Sequence, residues 1–144
     1  MKLCMIGTGY VGLVSGTCFA DLGNSVICVD KDPNKITQLM NGRIPIYEPG
    51  LEELVNKNFK NKRLNFSTDL KKSVKDSDII FICVGTPTKK GGSSADLSQI
   101  YSVAKEIATS INKFKIIITK STVPVTTGDE IERILSKKNK VNKF

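Results

Sequence analysis

The stretch Leu3-Cys4-Met5-Ile6-Gly7-Thr8-Gly9-Tyr10-Val11-Gly12 decides how the chain is read. A short apolar run of strand character leads straight into G-x-G-x-x-G, and Val11, Val14, Cys18 and Leu22 then recur at helical spacing. Strand, glycine turn and helix in that order form the first half of a βαβ unit. Gly7 permits the tight turn, Gly9 lets the backbone come close to a pyrophosphate, and Gly12 lets the helix pack close on the strand. Free N–H groups and the dipole at the helix amino terminus favour an anion there. Without its surroundings the same motif fits glycines used for tight packing alone.

The surroundings are specific. Gly23-Asn24 ends the helix, a second strand fits Ser25 to Val29, and Asp30 stands at its carboxyl end, eighteen residues after Gly12. An acid there accepts hydrogen bonds from the adenosine ribose and repels the 2′-phosphate of NADP, so NAD is the expected cofactor. Lys31 and Lys35 weaken that exclusion.

Outward from this unit, Ile79 to Val84 and Ile116 to Thr119 read as further strands, with Leu64 to Ser67 a weaker one. Asp32 caps a helix from Pro33, with Ile36, Leu39 and Met40 on one side and Asn41-Gly42 as its stop. Another helix fits Pro49 to about Asn58. Asp96 with Gln99 has the capping-box pattern for a helix to about Ile111, whose apolar face is Leu97, Ile100, Ala104, Ile107 and Ile111. Thr127 with Glu130 repeats the device, and Asp129, Glu130, Lys137 and Lys138 match the dipole of that last helix. The expected fold is α/β, a Rossmann-like doubly wound parallel sheet of about five strands with helices on both faces. It forms one domain over 1–144, with the ligand at the switch point between the first and fourth strands.

Composition agrees. The 144 residues suit one domain, and 40% are hydrophobic. No apolar run approaches a membrane span and no signal peptide opens the chain, so a soluble cytoplasmic protein is expected. There is no histidine, which excludes Ser-His and Cys-His nucleophile pairs and histidine-bearing zinc sites. Cys4, Cys18, Cys28 and Cys83 show no C-x-x-C pair and read as buried reduced thiols, and no metal is expected. The net charge of +8 concentrates in eight basic against three acidic residues from Lys113 to Phe144. No aromatic residues interleave with them, so they read as a solvated helix face and tail, and nucleic acid is not an expected partner.

Two more clusters fall at strand ends: Val84-Gly85-Thr86-Pro87-Thr88 and Lys120-Ser121-Thr122-Val123-Pro124. Their hydroxyls and amides suit a cofactor cleft, or turn chemistry alone. The loop Ile44-Pro45-Ile46-Tyr47-Glu48-Pro49-Gly50 suits either function or a hydrophobic staple. For acid, base or nucleophile the chain offers only Thr122, Lys120 and Glu48. No sixth strand follows the last helix, so the sequence reads as the cofactor half of something larger.

Gly7 to Ala20, Pro45 to Leu51, Val84 to Pro87 and Lys120 to Val125 together resemble the amino-terminal domain of the UDP-glucose/GDP-mannose dehydrogenase family, and within it the UDP-glucose 6-dehydrogenases. The resemblance covers nearly the whole chain. It implies oxidation of the C6 alcohol of UDP-glucose to a carboxylate in two NAD-dependent steps through an enzyme-bound thioester, by a homo-oligomeric parent enzyme. It implies NAD contacts at Gly7, Gly9, Tyr10, Val11, Gly12, Asp30, Lys35, Gly85, Thr86 and Thr122. Thr122 also matches a residue near the reaction centre and is the one catalytic candidate. The family's substrate-binding stretch, catalytic lysine and thioester cysteine lie downstream of the matched segment, so these residues by themselves are expected to bind NAD without catalysis. Thr126-Thr127 departs from the family, which more often has glycine straight after the Val-Pro-Val. The competing reading is a stand-alone nucleotide-sensing or nucleic-acid-associated module that uses the basic charge.

Overall fold

The computed structural model describes residues 1–89, 91 and 94–138. Its elements alternate as expected: β1 (Lys2–Ile6), α1 (Tyr10–Asp21), β2 (Ser25–Val29), α2 (Pro33–Met40), α3 (Leu51–Lys60), β3 (Leu64–Ser67), α4 (Leu70–Asp76), β4 (Ile79–Ile82), α5 (Ser98–Ser110), β5 (Ile116–Thr119) and α6 (Thr127–Lys138). All paired strands are parallel, in the order β3-β2-β1-β4-β5. The weakest strand reading, Leu64 to Ser67, is a full member of the sheet. The short helix α4 was not legible in the pattern. It is capped by Asp69, whose side chain accepts from the Lys72 N–H at 2.9 Å.

Alternation along the strands divides the core into two layers. Leu3, Met5, Val26, Cys28, Leu64, Phe66 and Phe81 face α1, α2 and α3. Cys4, Ile6, Val29, Ile80 and Ile82 face α4, α5 and α6. The apolar face expected of α5 is the one it buries: Ile100, Ala104, Ile107 and Ile111 lie in the second layer, with Leu97 packed against it.

Helix boundaries needed correction. The Asp32 cap forms as read, its Oδ1 accepting from Asn34 and Lys35 N–H. Met40, expected on the buried side of that helix, is exposed. Neither capping box forms. Asp96 accepts from the Ser98 N–H at 2.9 Å, and α5 starts one residue later than expected. At α6 the helix starts one residue early, and the Thr127 hydroxyl is buried without a hydrogen-bond partner. Gly50 takes a left-handed φ of 77°, so α3 begins at Leu51 instead of Pro49.

The buried face of α1 was also misread. Val11 and Leu22 are exposed, as is Cys18, which therefore does not belong with the three buried thiols. The helix instead lays Gly12, Leu13, Gly16, Thr17 and Ala20 on the sheet. Small residues win because the helix axis comes very close to the strands. A Cβ on Gly16 would stand 2.8 Å from Cys28 Sγ, and one on Gly12 would stand 1.8 Å from the Gly7 carbonyl oxygen.

Among the basic residues read as solvated, Lys115 is fully buried. Its Nζ donates to the Lys75 and Ser77 carbonyls, closing the end of α4, and burial together with Lys113 lowers its pKa. The charges expected at 140 and 143 and the Lys138 side chain lie outside the described residues, as do Lys90, Gly92 and Ser93 of the low-complexity loop.

The contact at Gly12 sets an expectation. Gly12→Ala must push α1 off its own turn, because the opposing atom is backbone and cannot rotate away. A loss of about 3 kcal/mol or more is expected by urea denaturation, at the upper end of what overpacking costs.

Candidate functional site

β1 is flanked by β2 on one side and β4 on the other, and the chain departs from these neighbours in opposite directions. A cleft of about 870 Å³ opens there, at the carboxyl ends of the strands. Its floor is the glycine turn. Gly7 has φ of 105°, and a Cβ there would meet the Cys83 carbonyl oxygen at 2.8 Å, so glycine is required twice over. Its N–H donates to the Val29 carbonyl at 2.7 Å, tying the turn to β2. Gly9 is the N-cap of α1 in extended conformation, and no side chain caps that end. A Cβ on Gly9 would meet nothing within 4 Å. The first N–H groups of α1 thus face open space above a residue without a side chain, which is the cradle a pyrophosphate needs.

Asp30 forms the next wall and is held firmly. Its Oδ2 accepts from the Thr8 N–H at 3.0 Å and the Thr8 hydroxyl at 2.8 Å, and its Oδ1 accepts from the Asp32 N–H at 3.1 Å. Lys35 Nζ stands 3.8 Å from Oδ2. Burial alone would raise the Asp30 pKa, but the hydrogen bonds from Thr8 and Asp32, with Lys35 beside them, outweigh it and hold the carboxyl below its ordinary value.

The far wall comes from the loops after β4 and β5, which are tied together. Lys120 and Ser121 N–H both donate to the Ile82 carbonyl, at 2.9 and 3.2 Å. The Ser121 hydroxyl donates to the Val84 carbonyl at 2.7 Å, and that of Thr86 to the Thr122 carbonyl at 3.0 Å. This turn ends β4 at Ile82, two residues short of the expected Val84.

Gly7, Gly9, Tyr10, Val11, Asp30, Lys35, Gly85, Thr86 and Thr122 all line the cleft. Gly12 does not; it lies behind the turn and acts through packing. Of the three reactive candidates only Thr122 lines it. Glu48 belongs to a second cavity of about 850 Å³ under the 44–50 loop, which is pinned to the first by the Tyr10 hydroxyl donating to the Tyr47 carbonyl at 2.9 Å. Ser121, from the second strand-end cluster, lines the cleft as well, whereas sequence reasoning missed Thr8 and the polar face of α5, where Ser98, Ser102 and Glu106 also line it. Their spacing of four was visible but reads equally as a solvated face. The buried thiols are no rivals for chemistry: burial pushes Cys4 up to about 12 and Cys83 to about 11, and Cys28 higher still. Among the described residues no cluster of acids and cysteines could hold a metal, and no helix is long and apolar enough to cross a membrane.

Residues 1–144 match the family model described as UDP-glucose/GDP-mannose dehydrogenase family, NAD binding domain. The chain is 58% identical to a UDP-glucose 6-dehydrogenase of Rhizobium meliloti over 139 residues, covering 96% of this chain and 32% of that protein. It is 53% identical to one of Bacillus subtilis, again over 96% of this chain and 30% of the relative. Among solved structures, a UDP-glucose dehydrogenase of Pyrobaculum islandicum superposes with a TM-score of 0.93 at 35% identity, over 99% of this chain and 34% of that one. A GDP-mannose dehydrogenase of Pseudomonas aeruginosa gives 0.91 at 38%, over 99% and 33%. The chain thus spans about a third of the length of these relatives.

Two outcomes follow from the cleft. Gly9→Ala should leave the melting temperature unchanged, since its Cβ would have no atom of the described residues within 4 Å, while NAD affinity in a calorimetric titration falls about tenfold or more. Asp30 has a lower pKa folded than unfolded, so its stabilisation is complete above the ordinary carboxylate pKa of about 4 and is lost as pH falls through the lowered value. The gap in melting temperature between wild type and Asp30→Asn should therefore hold from pH 7 to about 5 and close as the solution is acidified further.

Proposed function

Since this chain belongs to the UDP-glucose/GDP-mannose dehydrogenase family, as its NAD binding domain, we propose that it holds the cofactor for a UDP-glucose 6-dehydrogenase. The observation that carries this reading is the cleft itself, in which an uncapped helix terminus over Gly9 and a fixed carboxylate at Asp30 line the same space. The Tyr10 and Val11 N–H groups receive the pyrophosphate, and Asp30 with Lys35 receives the adenosine ribose. Gly85, Thr86 and Thr122 flank the reacting end. NAD, when bound, supplies a hydride acceptor for the C6 carbon of the sugar nucleotide. The domain spans 1–144, with Gly12 in a packing role.

Thr122 is the proposed catalytic residue of this segment, its loop fixed by the Thr86 hydroxyl on its own carbonyl. The named relatives support UDP-glucose as substrate of the whole protein, which we place in the cytoplasm as a homo-oligomer. A nucleic-acid module is not favoured. Several of the basic residues that would serve it are engaged within the fold: Lys115 is buried, Lys113 pairs with Asp78 at 2.7 Å, and Lys57 pairs with Asp21 at 2.8 Å.

In the intact protein, UDP-glucose should drive NADH formation, followed by absorbance. Asp30→Ala should weaken NAD by about 1 to 3 kcal/mol, the scale of a lost charge-assisted hydrogen bond, in a calorimetric titration. Unchanged affinity would remove the ribose assignment, and absence of NADH with UDP-glucose would remove the substrate.

A further inference from the structure

We propose that Thr8 is a specificity-determining residue: its hydroxyl fixes the Asp30 carboxylate and thereby sets the preference for NAD over NADP. The proposal rests on the NAD reading above. Thr8 occupies the first variable position of the glycine motif, where the fingerprint itself demands no side chain. Yet it is 1% exposed, and it engages Asp30 with two donors at once, the N–H at 3.0 Å and the hydroxyl at 2.8 Å, both on Oδ2.

A carboxylate has about four acceptor positions. Thr8 fills the two on Oδ2, and the Asp32 N–H fills one on Oδ1. One position on Oδ1 therefore remains for a ribose hydroxyl. The backbone donors belong to any sequence that folds this way, whereas the Thr8 hydroxyl belongs to this one. Lys35 does not duplicate it, since its ammonium stands 3.8 Å from the same Oδ2, beyond hydrogen-bond distance. Without the hydroxyl, Oδ2 has a free acceptor position and a cation beside it. The carboxylate is then held at Oδ2 by a single backbone N–H and is free to turn, so its remaining acceptor leaves the ribose position. Discrimination falls for two reasons: the ribose hydroxyl loses its acceptor, and the 2′-phosphate of NADP no longer meets a carboxylate fixed at that position.

The test uses the intact protein and three forms: wild type, Thr8→Val, which keeps the shape and removes the hydroxyl, and Thr8→Ser, which restores it. Dissociation constants for NAD and NADP are measured by calorimetry, and the Asp30 carboxyl is titrated by carbon NMR. Thr8→Val should weaken NAD by about 5- to 20-fold, narrow the NAD-to-NADP preference by a similar factor and raise the Asp30 pKa, while Thr8→Ser stays within about twofold of wild type. Should Thr8→Val not fold, Thr8→Ala takes its place with the same expectations. Equal loss for both cofactors with an unmoved Asp30 titration would show general loosening and overturn the proposal, as would an unchanged preference. A wild type that binds neither cofactor overturns the NAD reading and this inference with it. A wild type that binds NAD beside an unaltered Thr8→Val overturns the inference alone.

Discussion

The approach of α1 to its own leading turn is the constraint on which the rest depends. A helix that sits where a Cβ at Gly12 would lie 1.8 Å from the Gly7 carbonyl oxygen has no freedom in depth or tilt. Gly7 on the other side is pressed against the Cys83 backbone and bonded to Val29, so the turn is gripped from β4 and β2 together. The amino terminus of α1 is consequently aimed at the gap between those two strands. Its N–H groups become a site because none of the described residues caps them, and the lack of a side chain at Gly9 has the same logic. Stability and binding are thus separated within one motif: Gly7 and Gly12 hold the backbone, and Gly9 keeps a space clear.

Electrostatics follow the same division. The acidic wall of the cleft is not a mobile surface carboxylate but one whose acceptors are largely committed to Thr8 and Asp32 before any ligand arrives. Such a group loses little freedom on binding, and its ionisation is secured by neighbours that outweigh the cost of partial burial. The opposite wall is organised likewise, with the Thr86 and Ser121 hydroxyls bonded to backbone carbonyls across the two loops, which keeps the ends of β4 and β5 in fixed relation.

Legibility in the sequence tracked how local each cause is. Strands β2, β3 and β5 were readable to the residue because β-type runs end where polar or turn residues begin, and the Asp32 cap was readable because it acts two and three residues away. The buried face of α1 was not, because the contact rewards small residues while periodicity counts large ones. Lys115 was read as solvated because its partners lie 38 and 40 residues upstream, at the end of a helix the pattern did not show. The glycines, Asp30, Thr86 and Thr122 were legible as a set since each stands at a strand end. The polar face of α5 was not, because only the tertiary fold decides whether Ser98, Ser102 and Glu106 look at water or into a cleft.

That last case bears on how the two layers cooperate. The floor of the cleft and the Asp30 wall are built by α1 and β2, whereas the polar face of α5 rises from the other side of the sheet. A ligand spanning the cleft therefore touches both layers at the one place where the strand order reverses and the sheet itself does not separate them. β1 and β4 must hold their spacing for the two walls to stay in register, and they are the strands buried most completely, with Cys4, Met5, Ile80 and Ile82 fully enclosed. Rigidity of the central pair is what converts separate contributions from α1, β2 and α5 into a single recognition surface.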